Sequence, residues 1–228
     1  MAGPALERTA PAIGGDGTVY VLSLGDDENA TGPSWLDEMN ALLDEVEAAD
    51  GPRGLVTVGR GPKHYSNGLD TAWMGDHPDE TAAYVMRVQA LLARLLVFPA
   101  PTVAAVNGHA FGAGAFLTIA HDHAVMREDR GFLCWPEVHL GMPFTVGLIT
   151  MVRDLLPTRT AHEAVVTGRR YDGGAALAAG VVDGVASVDE LLDVAVGIAA
   201  THATTAGSNL GGIKRSLHRG TLDALLDE

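Results

Sequence analysis

The chain has 228 residues, of which 47% are hydrophobic, so it can bury a full core as one large domain or as one domain with a small extension. Its net charge of −14 and its two lysines argue against nucleic acid as a partner, because phosphate binding needs a basic surface. No apolar run approaches the roughly 18 residues of a membrane span, so no membrane association is predicted. A single cysteine and the lack of a signal-peptide pattern predict a cytoplasmic protein.

The first half of the chain alternates predicted strands with predicted helices. Residues 1–16 are rich in Gly, Pro and Ala and are predicted to be a flexible lead-in. The alternation of strands and helices that follows favours right-handed crossovers and a parallel sheet. Apolar patterns and turn signals predict strand 18–24, helix 35–48, strand 54–58, helix 81–98, strand 102–106, a helical run at 115–120 and strand 124–126.

Past Pro143 the pattern becomes mostly helical. One short strand is predicted at 181–186, and helices are predicted at 145–155, 159–167, 174–179, 189–201 and 209–226. We therefore predict an α/β fold in which the lead-in at 1–16 is followed by an α/β core at 17–186 and a helical part at 187–228.

Two turns present backbone N–H groups that a ligand could use. The first, 112–114, lies between an apolar strand and a helix, and the second, 66–70, also runs into a short helical signal. Small residues at a helix N-terminus let a ligand atom approach unpaired N–H groups closely. Two such turns could direct two N–H groups at one oxygen, which is the geometry of an oxyanion hole. Each turn is equally compatible with a tight connection that binds nothing.

Glu137 is a carboxylate in an apolar stretch, next to Trp135, Pro136 and Val138. Desolvation there would raise the pKa of its carboxyl towards the range of a general base, although a solvated loop acid fits the same sequence. The histidines are scattered, and the His–Asp–His run at 121–123 lies at a helix end with spacing that indicates a metal site only weakly. No metal site is predicted.

Three motifs and the TGRRYDGGAALAAGVVDGV segment together resemble the crotonase (enoyl-CoA hydratase/isomerase) superfamily. The motifs are SNGLD at 66–70, PTVAAVNGHAFGAGAFLTIAHD at 101–122 and FLCWPEVHLGMP at 132–143, and the resemblance covers roughly residues 54–186. It implies a spiral ββα core, a C-terminal helical trimerisation region, and a homotrimer or a hexamer of two trimers. It also implies acyl-CoA substrates, with coenzyme A as part of the substrate and no separate cofactor.

The resemblance assigns roles to individual residues. It places two oxyanion N–H groups at Leu69 and Ala113 and the proton carrier at Glu137. Family hydratases carry a second glutamate where this chain has Phe116. The remaining substrate and coenzyme A positions that we predict are Arg60, Lys63, Ser66, Asn67, Gly68, Gly112, Phe116 and Lys214.

Phe116 separates the activities that the resemblance allows. A hydratase activates water with two carboxylates, whereas an isomerase moves one proton and needs a single carboxylate. The motifs resemble the plant and peroxisomal type of Δ3,Δ2-enoyl-CoA isomerase, so we expect a double-bond shift from C3 to C2 in fatty-acid β-oxidation. Three alternatives stay open: enoyl-CoA hydration, another crotonase activity such as thioester hydrolysis, and a catalytically silent CoA-binding subunit.

Overall fold

A computed structural model describes residues 2–9 and 17–227, apart from the side chains of residues 8 and 9. Its strands are β1 (Ala5–Thr9), β2 (Thr18–Ser23), β3 (Arg53–Val58), β4 (His64–Ser66), β5 (Thr102–Val106), β6 (His109–Phe111), β7 (His123–Arg127), β8 (Leu133–Cys134) and β9 (Gly184–Ala186). Its helices are α1 (Pro33–Glu47), α2 (Thr71–Asp76), α3 (Thr81–Leu96), α4 (Ala113–Ile119), α5 (Glu137–Leu140), α6 (Val146–Leu155), α7 (Thr158–Thr167), α8 (Gly173–Ala178), α9 (Leu191–His202), α10 (Ser208–Leu217) and α11 (Arg219–Leu226).

A six-stranded sheet in the order β1-β2-β3-β5-β7-β9 forms the centre of the fold. Its strands run parallel except for β1, which pairs antiparallel with β2. Alternate residues of β5 enter two different cores, because successive side chains of a strand point to opposite faces. Val103 and Ala105 pack with Ala195 and Ala199 of α9, whereas Ala104 and Val106 join the larger core of α1, α3 and α4.

A second, three-stranded parallel sheet in the order β4-β6-β8 positions the candidate site. Each of its strands follows a strand of the main sheet and precedes a short helix, so β3-β4-α2, β5-β6-α4 and β7-β8-α5 are three successive ββα units. The carboxyl ends of parallel strands meet at one edge of a sheet. The segments after β4, β6 and β8 therefore converge, and they contain the turns and the acid singled out above.

The predicted α/β fold with its ββα core and helical C-terminal region is confirmed, with two corrections. The flexible lead-in is wrong for Ala5–Thr9, which form β1 on the edge of the main sheet, while residues 10–16 lie outside the described part of the chain. The single helix predicted at 209–226 is two helices that meet at His218. Among the described residues, no helix has the length and apolar character needed to cross a membrane.

Lys214 is a structural residue, so its predicted role in binding coenzyme A is wrong for this chain. It is only 5% exposed, and it reaches from α10 into the space between the ends of α3 and α4. Its ammonium donates to Phe98 O (3.0 Å), Ala100 O (3.0 Å) and Asp122 Oδ2 (2.6 Å). Because these bonds use all three donors, none is left for a phosphate.

Lys214→Met should destabilise the fold strongly, because it leaves Asp122 without its cation and two carbonyls without a donor. Breaking a buried ion pair costs roughly 3–5 kcal/mol, and the partial exposure of Asp122 places the expected loss near the lower end, about 3 kcal/mol. The other lysine supplies the control, since Lys63 is exposed and its replacement by Met should change the free energy of unfolding by less than about 0.5 kcal/mol. Urea denaturation of both variants measures the difference, and equal losses would contradict the structural role.

Candidate active site

The turn after β4 is built around Gly68, whose φ is +91°. Its N–H donates to Ser66 Oγ (3.3 Å), and that hydroxyl in turn donates to Asn29 O (2.8 Å). A Cβ on Gly68 would lie 2.5 Å from Phe111 O and 3.2 Å from the amide nitrogen of Ala113. Only glycine satisfies both the positive φ and this contact, so the turn after β4 lies directly against the start of α4.

The turn after β6 meets the first turn from the other side. Gly112 has a φ of +50°, and its carbonyl accepts from the amides of Ala115 (2.9 Å) and Phe116 (3.0 Å), which begins α4. A Cβ on Gly114 would lie 2.3 Å from Ser66 O, so this position also requires glycine. The two turns therefore contact each other through their backbones, with no side chain between them.

Leu69 N–H and Ala113 N–H are the two predicted oxyanion donors. Neither donates to an acceptor in residues 2–9 or 17–227, although Gly68 and Asp70 on either side of Leu69 are both hydrogen-bonded. Ala113 N–H is unpaired because it begins α4, whereas an unpaired N–H such as that of Leu69 is rare in packed backbone. These two N–H groups, on turns that contact each other, form a site for a partly negative oxygen.

Glu137 begins α5 next to these turns. Its Oε1 lies 3.3 Å from the place that a Cβ on Gly112 would occupy, and its Oε2 is buried without a hydrogen-bond partner among the described residues. Desolvation by burial raises the pKa of this carboxyl to about 7, against a smaller lowering by its own backbone N–H. Near neutral pH the carboxyl can therefore both accept and return a proton.

An aromatic cluster surrounds Phe116, and one of its members, Trp135, lies two residues before Glu137 in the chain. Phe116 is 1% exposed, and its ring meets the rings of Trp135 and Phe144 edge-on, with centroids 6.1 and 6.0 Å apart. Trp135 is fully buried. The position where the resemblance places a second glutamate in hydratases thus belongs to an apolar cluster.

The other predicted binding residues are spread over this edge and its surroundings. Ser66 is buried in the turn after β4, while Asn67 is exposed and its amide donates to Glu28 Oε2 (3.2 Å). Arg60 and Lys63 are exposed on the loop between β3 and β4, and Arg60 forms an ion pair with Glu7 of β1. Arg60, Lys63, Ser66 and Asn67 lie in or next to β4, whereas Lys214 lies inside the fold.

The sequence did not predict a buried chain of hydrogen bonds that links Tyr65, Thr57 and His121. Tyr65 and Thr57 lie 2.7 Å apart between their hydroxyls, and Thr57 Oγ1 lies 2.9 Å from His121 Nε2. The other ring nitrogen of His121 faces Leu117 O at 2.8 Å, and burial lowers the pKa of this imidazole to about 4. The hydrogen bonds of His121 thus link β3, β4 and α4. Within the described ranges, no group of three or more metal-binding side chains occurs.

Comparison with known proteins identifies the family. A family model described as enoyl-CoA hydratase/isomerase matches residues 15–227, so the chain belongs to the enoyl-CoA hydratase/isomerase family. The peroxisomal enoyl-CoA delta isomerase 2 of Arabidopsis thaliana is 34% identical over 180 residues, covering 75% of this chain and 74% of that protein. A putative enoyl-CoA hydratase of Thermus thermophilus is 32% identical over 200 residues, with coverage of 85% and 78%.

A solved structure agrees with this assignment. An enoyl-CoA hydratase/isomerase family protein from Pseudomonas syringae superposes with a TM-score of 0.86 at 28% identity, covering 96% of this chain and 93% of that one. The resemblance noted in the sequence is thereby confirmed at the level of family and fold.

The burial of Glu137 predicts a stability difference that depends on pH. Its pKa is about 7 in the folded protein and near the ordinary 4.5 when unfolded, so the folded state binds more protons between these values. Folding stability should therefore decrease as pH rises through this window. Glu137→Gln lacks this effect, so its Tm relative to the parent should rise between pH 5 and pH 8.

Calorimetry at both pH values checks this prediction. Glu45→Gln is the matched control, because Glu45 is exposed on α1. Its Tm difference from the parent should stay constant with pH. A constant difference for Glu137→Gln as well would contradict a desolvated carboxyl.

Proposed function

We propose that this protein is an enoyl-CoA isomerase, which converts a 3-enoyl-CoA thioester into the 2-enoyl isomer. The observation that carries the proposal is the desolvated carboxyl of Glu137 near two backbone donors that have no acceptor among the described residues. Phe116 stands where the resemblance places a second glutamate in hydratases. Relatives that are named enoyl-CoA delta isomerases support it.

The mechanism needs one acid–base group and one anion site. The thioester oxygen accepts from the N–H groups of Leu69 and Ala113. Glu137 then removes a proton from C2, and the electrons of the broken C–H bond move into a dienolate whose negative oxygen the two donors stabilise. The same carboxyl delivers the proton to C4, which leaves the double bond between C2 and C3. No atom is gained or lost.

The apolar surroundings suit this sequence of steps. A carboxyl with a pKa near 7 accepts a proton and gives it back without a large energy difference at neutral pH. The packed rings of Phe116, Trp135 and Phe144 keep water from the dienolate, which favours return of the proton over hydration. Hydration is the second candidate, because a relative from Thermus thermophilus is named a putative enoyl-CoA hydratase.

The proposal also covers how the protein binds coenzyme A and how its subunits assemble. Arg60 and Lys63 are the proposed partners of the coenzyme A phosphates, and their exposure supports this. The proposed assembly is a homotrimer or a hexamer of two trimers, and it is supported by exposed apolar side chains on α5, where Val138 and Leu140 are 49% and 60% exposed. The proposed pathway is fatty-acid β-oxidation, and the proposed compartment is the cytoplasm.

Assays with 3-enoyl-CoA and 2-enoyl-CoA side by side test the proposal. The protein should isomerise the 3-enoyl thioester and hydrate the 2-enoyl thioester slowly or not at all. Glu137→Gln should lower kcat for isomerisation by roughly 10²–10⁴-fold, because it removes the only proton carrier of the mechanism. Glu45→Gln serves as the control and should retain full activity.

The other outcomes separate the alternatives. Isomerisation that survives in Glu137→Gln would remove Glu137 as the base. Faster hydration than isomerisation would favour a hydratase, and release of free coenzyme A would indicate thioester hydrolysis. Binding of an acyl-CoA without turnover would identify a silent subunit.

The pH dependence of isomerisation follows from the raised pKa of Glu137. The reaction starts from the carboxylate, so kcat/KM should rise with pH to a plateau, with a midpoint near 7. Initial rates at low substrate concentration between pH 5 and pH 9 measure this profile. A rate that falls through the same range would mean that the protonated acid starts the reaction.

A further inference from the structure

The peptide groups on both sides of Leu69 are held by buried partners. The carbonyl of Gly68 accepts from Thr31 N–H (2.8 Å) and from Thr31 Oγ1 (3.3 Å). On the other side, Asp70 N–H donates to the hydroxyl of Tyr84 (2.9 Å). In a trans peptide the carbonyl and the N–H point in opposite directions, so holding Gly68 O also sets the direction of Leu69 N–H.

Thr31 and Tyr84 are also linked to each other. Their hydroxyl oxygens are 3.4 Å apart, and both residues are 2% exposed. One arrangement of protons satisfies every contact: Asp70 N–H donates to Tyr84, Tyr84 donates to Thr31, and Thr31 donates to Gly68 O. Burial also raises the pKa of Tyr84, so the phenol stays protonated and keeps donating.

We propose that Tyr84, acting with Thr31, is a positioning residue for the oxyanion donor Leu69 N–H. Neither side chain touches the substrate in this proposal, which rests on the proposed function. Tyr84 itself is fixed on α3 by burial and by an edge-to-face contact with Trp73, with centroids 5.1 Å apart. The two hydroxyls therefore connect the turn after β4 to α3 and to the segment before α1. Their contacts restrict the peptide groups on both sides of Leu69.

The distances rank the two hydroxyls. The bond from Asp70 N–H to Tyr84 has an ordinary length, whereas contacts of 3.3 and 3.4 Å are long for a hydroxyl donor. The stronger contact from Thr31 comes from its backbone, which no substitution by Val or Ser removes. Loss of the Tyr84 hydroxyl should therefore have the larger effect, because it leaves Asp70 N–H unpaired in a part-buried place.

Kinetics of the isomerisation test the proposal. Tyr84→Phe should lower kcat by about 10-fold with little change in KM, less than the roughly 10²–10³-fold that loss of a complete oxyanion donor costs. Thr31→Val should lower kcat by about 3-fold, and Thr31→Ser, which keeps the hydroxyl, should restore it. The controls also remove buried hydroxyls: Tyr171→Phe loses a bond to Glu163, and Thr160→Val loses a bond to Ala179 O. Both should lower Tm and leave kcat unchanged.

A measurement without turnover separates this proposal from the proposed function. Butyryl-CoA with a ¹³C-labelled thioester carbonyl cannot isomerise, and its infrared carbonyl band reports polarisation by the oxyanion donors. The band should move to lower wavenumber on binding to the parent protein, and by a smaller amount in Tyr84→Phe and Thr31→Val. A full shift and full kcat in both variants would overturn the positioning role while leaving the isomerase intact. No shift in the parent would overturn the oxyanion site itself, and the positioning role with it.

Discussion

The backbone contact between the turn after β4 and the start of α4 is the constraint on which the rest of the site depends. Gly114 approaches Ser66 O and Gly68 approaches Phe111 O so closely that a methyl group on either glycine would overlap a carbonyl oxygen. This contact brings two N–H donors from distant parts of the chain to one place. The small sheet of β4, β6 and β8 holds the contact in register, because its parallel strands end at the same edge.

Lys214 and Glu137 are both buried and ionisable, but they differ in their hydrogen-bond partners. Lys214 is surrounded by three acceptors, one of them a carboxylate, so its ammonium is fully hydrogen-bonded although burial lowers its pKa. Glu137 has a buried oxygen with no hydrogen-bond partner in the described part of the chain, and burial raises the pKa of its carboxyl to about 7. An uncompensated buried carboxyl costs folding free energy, and a fold retains such a group most readily where its chemistry is used.

The sequence predicts the parts of this fold whose signals are local. Long apolar runs identify β2, β3 and β5, and helical spacing identifies α1 and α3. The strands of the small sheet have two or three residues each, too few for an alternating pattern to appear. β1, with the sequence ALERT, is equally hidden, because its pairing depends on β2 rather than on its own residues.

The residues of the candidate site also fall into two groups: those that local motifs predict, and those whose role depends on partners far away in the chain. Leu69, Ala113 and Glu137 could be predicted as candidates because short motifs surround them. The burial of Lys214 could not be found, since its acceptors lie about 90 or more residues away in the chain. Thr31 and Tyr84 were hidden for the same reason: they are 53 residues apart, and each resembles an ordinary turn or helix position until the fold brings them together.

Phe116 gives the candidate site an apolar side chain at the position where the resemblance places a second acid in hydratases. A glutamate at 116 would place a carboxyl where the ring of Phe116 is 1% exposed in an apolar cluster, and burial would raise its pKa. It would also remove the edge-to-face contacts that the ring of Phe116 makes with Trp135 and Phe144. A lone carboxyl with a pKa near 7 is well suited to taking a proton from one carbon and returning it to another, a reaction that needs no second acid. A phenylalanine packed at position 116 thus supports the proposed shift of a double bond over the addition of water.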